Sequence, residues 1–255
     1  MAFEVVENKL PLTAECHHYE NINEVPWDIQ KYWHQRYSIF EFYDYDIHLT
    51  DDGWFGVTPE PVATKIAKDL PSKNKTTLID LFAGSGGNVI AFAMAERWSR
   101  IIAIEKDPAT LACAQHNAEV YGVREAITWV LGDSLAFLNT LHNDPGSLPA
   151  QLQIDDPVHT ATLFASPPWG GVSYRDHEVF DLSTMQPYSL AQLHEACYPL
   201  EHTLFLPRSS DLRQVARLAP EGEKIEVVQY CMSGASKAMV VFVPAATGSH
   251  ASQKR

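Results

Sequence analysis

The sequence contains few cysteines, and none of them lies close to another along the chain. Only four occur among 255 residues, Cys16, Cys113, Cys197 and Cys231, and no C-x-x-C spacing is present. This pattern argues against a disulfide framework and against a zinc knuckle. We therefore expect a protein of a reducing compartment, the cytoplasm or the nucleus, without a metal centre.

Long apolar runs are also absent. No stretch approaches 18 uninterrupted apolar residues, and the N-terminal MAFEVVENKL lacks a basic region followed by an apolar one. These absences argue against a membrane-spanning protein and against a secreted precursor. The chain nevertheless has 45% apolar residues, which is enough to bury a large core.

Basic residues are scarce relative to acidic ones. The chain has 19 Lys and Arg against 32 Asp and Glu, and residues 1 to 60 alone carry 12 acidic and 3 basic side chains. Nucleic-acid binding normally draws its affinity from a basic surface that releases counterions. We therefore expect no strong binding to a long RNA or DNA backbone, and at most local recognition of a small piece of nucleic acid.

From Thr76 onward, apolar strand-like runs alternate with helical segments. Strands are predicted in TTLIDLFA, RIIAIE, ITWVLGD, TATLFA and TLFLPR, and KIEVVQYCMS and KAMVVFVP form a final antiparallel hairpin around Gly234. Such alternation is typical of a largely parallel sheet, here of seven strands, with helices on both faces. Residues 142 to 159 contain two Asp-Pro dipeptides and are expected to form an inserted surface loop.

Four segments follow from these patterns. Residues 1–25 are expected to form a partly ordered acidic leader, 26–70 a helical extension, 71–246 the main domain and 247–255 a disordered tail. Within the extension, PWDIQKYWHQRYSIF predicts a helix that starts at Pro26, whose aromatic stripe is typical of core packing. PEPVATKIAKDL predicts a second helix with Thr58 as its N-cap.

Acidic residues and a glycine turn follow three consecutive predicted strands. Asp80 lies four residues before Gly84 in DLFAGSGGN, Glu105 ends the second strand, and Asp133 follows the third. An acid before the turn would repel a phosphate but attract a cationic ligand with an amino group, which favours S-adenosylmethionine over NAD. Glu105 is placed to accept hydrogen bonds from the ribose hydroxyls, and Asp133 is placed to bind the adenine amine. An Asp that follows a strand can instead cap the next helix, and this is the role we expect for Asp107.

The stretch ASPPWGG follows the fourth predicted strand. Two successive prolines prevent the strand from continuing and restrict the directions of the carbonyls of Ser166 and Pro167. Fixed acceptors beside the aromatic face of Trp169 suit a planar ligand with an exocyclic amine. A proline-rich turn with a core tryptophan is the alternative interpretation.

Taken together, these motifs resemble those of the trimethylguanosine synthases, which hypermethylate RNA caps. The resemblance extends over residues 26–243 and rests on DLFAGSGGN, IIAIEKDP, HNAEVYG and SPPWGG, with KYWHQRYSIF and GWFGVTPE upstream. It implies a Rossmann-like class I methyltransferase fold with a helical lid, S-adenosylmethionine as methyl donor, and methylation of the exocyclic N2 amine of a 7-methylguanosine cap to di- and trimethylguanosine. Glu105 stands where this family often has Asp, which keeps the carboxylate.

The resemblance also implies roles for individual residues. The cofactor-binding set is Thr58, Asp80, Ala83, Gly84, Gly86, Asn88, Glu105 and Asp133. The catalytic residues are Ser166, Pro167 and Trp169, and the cap is bound by Lys31, Phe40, Asn117, Trp169, Tyr174 and Arg208. Lys31 and Arg208 could equally be solvated surface charges. The implied substrates are capped small nuclear and nucleolar RNAs, brought by protein partners in the nucleus or nucleolus, with the cytoplasm as a further location.

Two other functions remain open at this point. An amine methyltransferase of the same fold could act on an internal guanine or adenine of RNA or DNA, although Ser166, the Gly-Gly after Trp169 and the acidic surface count against it, and we find no groove-binding element for base flipping. A cap-binding module without catalytic activity is the second alternative. The presence of Asp80, Glu105 and Asp133 argues against it, because such a module has no use for a complete cofactor site.

Overall fold

A computed structural model describes residues 2–171, 174, 177–232 and 235–246 of the chain. Within these residues, eight strands form one sheet: β1 (Phe3–Val5), β2 (Thr77–Asp80), β3 (Arg100–Glu105), β4 (Ile127–Gly132), β5 (Ala161–Ala165), β6 (His202–Leu206), β7 (Glu226–Met232) and β8 (Ala235–Val243). Their order across the sheet is β1-β4-β3-β2-β5-β6-β8-β7. The five central strands are parallel, whereas β1, β7 and β8 pair antiparallel with their neighbours.

Ten α-helical segments lie in the described part of the chain. They are α1 (Gln30–Trp33), α2 (Arg36–Ile39), α3 (Gly53–Gly56), α4 (Glu60–Asp69), α5 (Gly87–Met94), α6 (Pro108–Val120), α7 (Ser134–Asn143), α8 (Pro157–Thr160), α9 (Leu190–Cys197) and α10 (Leu212–Ala216). Successive strand residues contribute to two separate apolar clusters, with Leu78 and Phe164 in one and Ile79 and Leu163 in the other. Because side chains alternate across a strand, these clusters are the two covered faces of the sheet.

The predicted α/β fold with a parallel sheet is confirmed, but the sheet has eight strands instead of seven. The additional strand, β1, lies in the acidic leader and pairs with β4, with Phe3 opposite Gly132. A Cβ atom on Gly132 would lie 2.4 Å from the Cα of Phe3, so the pairing requires glycine there. The beginning of the leader is therefore part of the sheet.

The N-terminal extension differs from its prediction in two details. The single helix expected from Pro26 is two single-turn helices, α1 and α2. Helix α4 begins at Glu60 with Pro59 as its N-cap, so Thr58 does not cap it. Trp33 and Trp54 of the extension lie in the same buried cluster as helix α5, so the extension packs onto the main domain through a shared core.

Residues 142 to 159 are better packed than an inserted loop. Helix α7 continues to Asn143, and Leu148 and Leu152 are buried against the sheet-facing cluster that contains Phe137. The final hairpin is confirmed, whereas Gly234 and the predicted tail at 247–255 lie outside the described residues. Among the described helices, none has the length and apolar character needed to span a bilayer.

Candidate active site

The carboxyl ends of the parallel strands bring most of the predicted site residues to one edge of the sheet. β2 ends at Asp80 and β3 at Glu105, and Asp133 directly follows β4. In the register of the sheet, Asp80 lies beside Phe164 of β5, and Ser166 follows two positions later. Ligands of open α/β sheets bind at this edge, next to the strand from which the chain runs to both sides of the sheet. Here that strand is β2, which lies between β3 and β5.

The glycine turn between β2 and α5 has the backbone that its sequence predicts. Gly84 has φ of 53° and Gly86 has φ of 98°, a conformation that other residues rarely adopt. A Cβ atom on Gly84 would have no neighbouring atom within 4 Å, so this glycine borders open space. Ala83, by contrast, is buried and donates its backbone N–H to Ile104 O at 2.9 Å, which fixes the turn to β3.

Two buried carboxylates lie beside this turn. Asp80 is fully buried, and its Oδ1 accepts a hydrogen bond from Phe82 N at 3.2 Å. Burial raises the pKa of Asp80 to about 7. The hydrogen bond from Phe82 acts to lower this pKa, and the nearby charge of Glu105 acts to raise it. Burial also raises the pKa of Glu105, against the backbone N–H groups of Asp107, Gly84 and Lys106. Glu105 Oε2 accepts from Gly84 N at 3.0 Å, so strand β3 directly supports the turn.

Several buried polar atoms around the turn have no hydrogen-bond partner among the described residues. They are Asp80 Oδ2, Ser85 Oγ and Asn88 Oδ1. Unpaired polar atoms of this kind are costly and uncommon in a folded protein, so they indicate a polar ligand. S-adenosylmethionine fits this set, because its cationic amino-acid end suits the two acids and its hydroxyl groups suit Glu105.

The extension reaches the same turn. Thr58 and Asn88 are both buried, and Asn88 Nδ2 donates to Thr58 Oγ1 at 3.0 Å. Ser85 Oγ lies 2.7 Å from the position that a Cβ atom on Gly53 would occupy, so glycine in α3 allows the close approach. Thr58 of the extension and Asn88 of the main domain, both predicted to bind the cofactor, are therefore in direct contact.

Asp133 already has partners on both carboxylate oxygens. Its Oδ1 accepts from Ala136 N at 2.8 Å as the N-cap of α7, and its Oδ2 accepts from the Tyr188 hydroxyl at 2.5 Å. Burial acts to raise its pKa, but these hydrogen bonds hold the pKa below its ordinary value. Asp107 is likewise the N-cap of α6, as predicted. Adenine recognition by Asp133 remains a prediction.

Trp169 lies among aromatic rings at the end of β5. Its indole is stacked on Phe205 with a centroid separation of 6.0 Å and an interplanar angle of 12°, and Tyr174 is nearly perpendicular to it at 4.8 Å. The indole Nε1–H donates to Phe205 O at 3.3 Å. Pro167 is buried, whereas Ser166 and Trp169 are half-buried. The indole is thus held from one side in a defined orientation.

Asn117 joins three parts of the chain. It is fully buried; its Oδ1 accepts from His48 N at 2.8 Å, and its Nδ2 donates to His48 O at 2.8 Å and to Ser85 O at 2.9 Å. The side chain therefore joins the extension, helix α6 and the glycine turn. Cap binding by Asn117, which the resemblance implies, remains a prediction.

The remaining predicted cap residues are dispersed between core and surface. Phe40 is buried with its ring 6.1 Å from that of Tyr121, whereas Lys31 and Arg208 are exposed. Lys31 Nζ lies 4.9 Å from the ring centroid of Tyr32. Their roles in cap binding stay predictions.

Three aromatic residues of the site were not predicted from the sequence. Phe205 supports Trp169, and Tyr188 binds Asp133 and lies near Phe82 at a ring separation of 6.3 Å. Tyr121 donates its hydroxyl to Glu60 at 2.5 Å and so joins α6 to the extension. Only Tyr121 had a signal, because it belongs to the HNAEVYG motif; the other two lie in segments without a recognisable pattern.

Comparison with known proteins identifies the family. The model of a family described as RNA cap guanine-N2 methyltransferase matches residues 75–246, which is more than half of the chain. This chain is a member of that family. Its activity is therefore the transfer of a methyl group from S-adenosylmethionine to N2 of an RNA cap guanine, and the expected methyl donor is confirmed.

Two curated yeast proteins of this kind are similar over much of the chain. The trimethylguanosine synthase of Schizosaccharomyces pombe is 34% identical over 222 residues, which cover 86% of this chain and 87% of the relative. That of Saccharomyces cerevisiae is 32% identical over 193 residues, 73% of this chain and 57% of the relative. The match to the Schizosaccharomyces pombe protein therefore also includes part of the chain before residue 75, where the match to the family model begins.

A solved structure from Porphyromonas gingivalis W83, assigned as a methyltransferase, has the same architecture. It superposes with a TM-score of 0.58 at 16% sequence identity and covers 87% of this chain and 52% of that chain. At this level of identity, the likeness shows the fold alone. The predicted class I methyltransferase fold is confirmed.

Proposed function

We propose that this family member acts on the 7-methylguanosine cap of small RNAs and converts it to di- and trimethylguanosine. The proposal is carried by Trp169, a half-buried indole held against Phe205 at the strand next to Asp80. A guanine methylated at N7 is a flat cation, so an indole face attracts it by about 0.5 to 2 kcal/mol more than area burial alone provides. An unmethylated guanine lacks that charge and should bind more weakly.

Positioning is the main catalytic contribution expected of this site. S-adenosylmethionine supplies a methyl group that is already activated for transfer. The Ser166 hydroxyl or carbonyl and the Pro167 carbonyl accept hydrogen bonds from the guanine amine and orient its lone pair, and stacking on Trp169 holds the base plane. No strong general base is required, because the methylated amine can release its proton to water afterwards.

Recognition is proposed to be local to the cap. Lys31 and Arg208 are exposed and would pair with the triphosphate, since guanidinium and ammonium groups bind phosphate well. The net charge of −13 disfavours a long RNA backbone, so the choice among RNAs is assigned to protein partners that deliver them. A nuclear or nucleolar location is part of the same proposal, and the four free cysteines are compatible with it.

The test compares two cap analogues by mass spectrometry after incubation with S-adenosylmethionine. One analogue carries 7-methylguanosine and the other unmethylated guanosine. We expect one or two added methyl groups on the 7-methylated analogue only, and loss of this product with Trp169→Ala. Trp27→Ala is the matched control, because Trp27 is 85% exposed in the extension and should leave the reaction unchanged.

Two outcomes would contradict the proposal. Equal methylation of both analogues would show that the N7 charge is not recognised. No product on either analogue, together with measurable cofactor binding, would favour an internal nucleobase as substrate.

A further inference from the structure

Two histidines from distant parts of the chain converge on Asp46. His48 lies in the extension and His116 on helix α6. Their ring nitrogens and a carboxylate oxygen of Asp46 all lie within 4.8 Å of one another. Nothing in the methyl-transfer reaction uses these three side chains.

Asp46 presents its backbone carbonyl and its carboxylate to the two histidines. Its φ of 73° is unusual for a residue other than glycine. Its carbonyl oxygen lies 3.0 Å from His48 Nδ1 and 2.8 Å from His116 Nε2. Its carboxylate oxygen Oδ1 lies 3.7 Å from His48 Nδ1, and Oδ2 lies 3.1 Å from His116 Nε2. Two imidazole nitrogens, one carbonyl oxygen and one carboxylate group are therefore close together.

The ligand atoms lie near the spacing that a tetrahedral ion requires. Zinc binds imidazole nitrogen and carboxylate oxygen at roughly 2.0 to 2.2 Å, which places neighbouring ligand atoms roughly 3.4 Å apart. The nitrogen–oxygen separations around Asp46 run from 2.8 to 3.7 Å, and the three side chains have ligand atoms within 4.8 Å of one another, so binding of the ion requires the side chains to draw closer together. The histidine side chains are only 14% and 13% exposed, whereas that of Asp46 is 63% exposed, so the ligands are held and the site is open to solvent.

We infer that Asp46, His48 and His116 bind one zinc-like divalent cation that joins the N-terminal extension to helix α6. Imidazole with carboxylate and carbonyl oxygen suits Zn²⁺, whereas Mg²⁺ and Ca²⁺ prefer oxygen ligands alone. The location is the seam already joined by Asn117, which follows His116 and holds both backbone polar groups of His48. An ion there would therefore stabilise the extension that reaches the glycine turn.

The test uses the full chain after treatment with a chelator and its removal. Zinc chloride is titrated into the protein by calorimetry, and the melting temperature is measured with and without zinc. We expect one zinc per chain and a higher melting temperature with zinc, because the ion binds the folded state preferentially. Cobalt substitution should give the intense visible absorption of a tetrahedral site.

Four variants make this test decisive. Asp46→Asn, His48→Gln and His116→Gln should each lose the zinc-dependent rise in melting temperature. Asp46→Asn is the safest of them, because Asp46 is exposed and Asn tolerates positive φ. His159→Gln is the matched control, since it removes an exposed pair with Asp156 at 2.8 Å and should leave zinc binding unchanged.

The inference is overturned if the wild type binds no zinc, or if Asp46→Asn and His116→Gln bind it as well as the wild type does.

Discussion

The buried carboxyl of Asp80 should make cofactor binding depend on pH. Within the part of the chain that the structure describes, its Oδ2 has no hydrogen-bond partner, and burial raises its pKa to about 7. A bound ligand with a protonated amine favours the ionised carboxylate, so binding is coupled to release of a proton. S-adenosylhomocysteine keeps the amino-acid end of the cofactor and undergoes no reaction, which makes it the suitable probe.

The magnitude follows from the titration of one group. With a pKa of about 7, the ionised fraction of Asp80 rises from roughly 0.1 at pH 6 to roughly 0.9 at pH 8, so the association constant should rise about tenfold. Folding responds in the opposite sense. The folded pKa lies above the ordinary value of 3.8, so the stabilisation belongs to the protonated form and is lost as pH rises from about 4 through about 7.

Isothermal titration of S-adenosylhomocysteine at pH 6, 7 and 8 checks this prediction, and buffers of different ionisation enthalpy count the released protons. Asp80→Asn should bind more weakly at pH 8 and show little dependence on pH. Asp107→Asn is the matched control. Asp107 follows strand β3, but its Oδ1 accepts a hydrogen bond from Thr110 N at 2.7 Å as the cap of α6, so the change of affinity with pH should be the same as in the wild type. A flat profile in the wild type, or an unchanged slope in Asp80→Asn, would refute the reasoning.

Two further predictions concern the seam between extension and main domain. Asn117→Ala should lower the free energy of unfolding by about 2 to 4 kcal/mol, because it leaves buried backbone groups of His48 and Ser85 unpaired. Tyr121→Phe should lower it by about 1 to 2 kcal/mol, because it removes the hydroxyl that donates to Glu60. Urea denaturation followed by circular dichroism measures both.

Surface variants of the same chemistry serve as controls for these two measurements. Asn143→Ala removes an exposed amide that bonds to the neighbouring Asn139, and Tyr45→Phe alters a ring that is 72% exposed; both should change stability by less than about 0.5 kcal/mol. If Asn117→Ala were as mild as Asn143→Ala, the buried amide would not hold the seam.

The central part of the fold was predictable because its strands are buried on both faces. Runs such as TTLID and ATLFA are short, apolar and separated by helical segments, and they became β2 and β5. The glycine turn and the acids after β2 and β3 followed from the same pattern, because strand ends carry the ligand-binding residues. Local sequence contains this information.

The rest depends on contacts between residues that are far apart in sequence. Strand β1 is three residues long, and only its pairing with β4, more than 120 residues later, makes it a strand. The burial of Asn117 depends on His48, which arrives from the extension. Tyr188 and Phe205 join the site through the fold alone, so no local pattern could reveal them.

The leader and the extension together are held at both ends. β1 pairs with the outer edge of the sheet, and Val6 N continues this pairing to Trp129 O at 2.9 Å, while α4 packs on α5 at the other end. Residues 6 to 59 therefore form a strap across the domain instead of a flap with a free end. Because both ends of this strap are held by the main domain, we expect it to move by bending between these two points and not by swinging out as a whole.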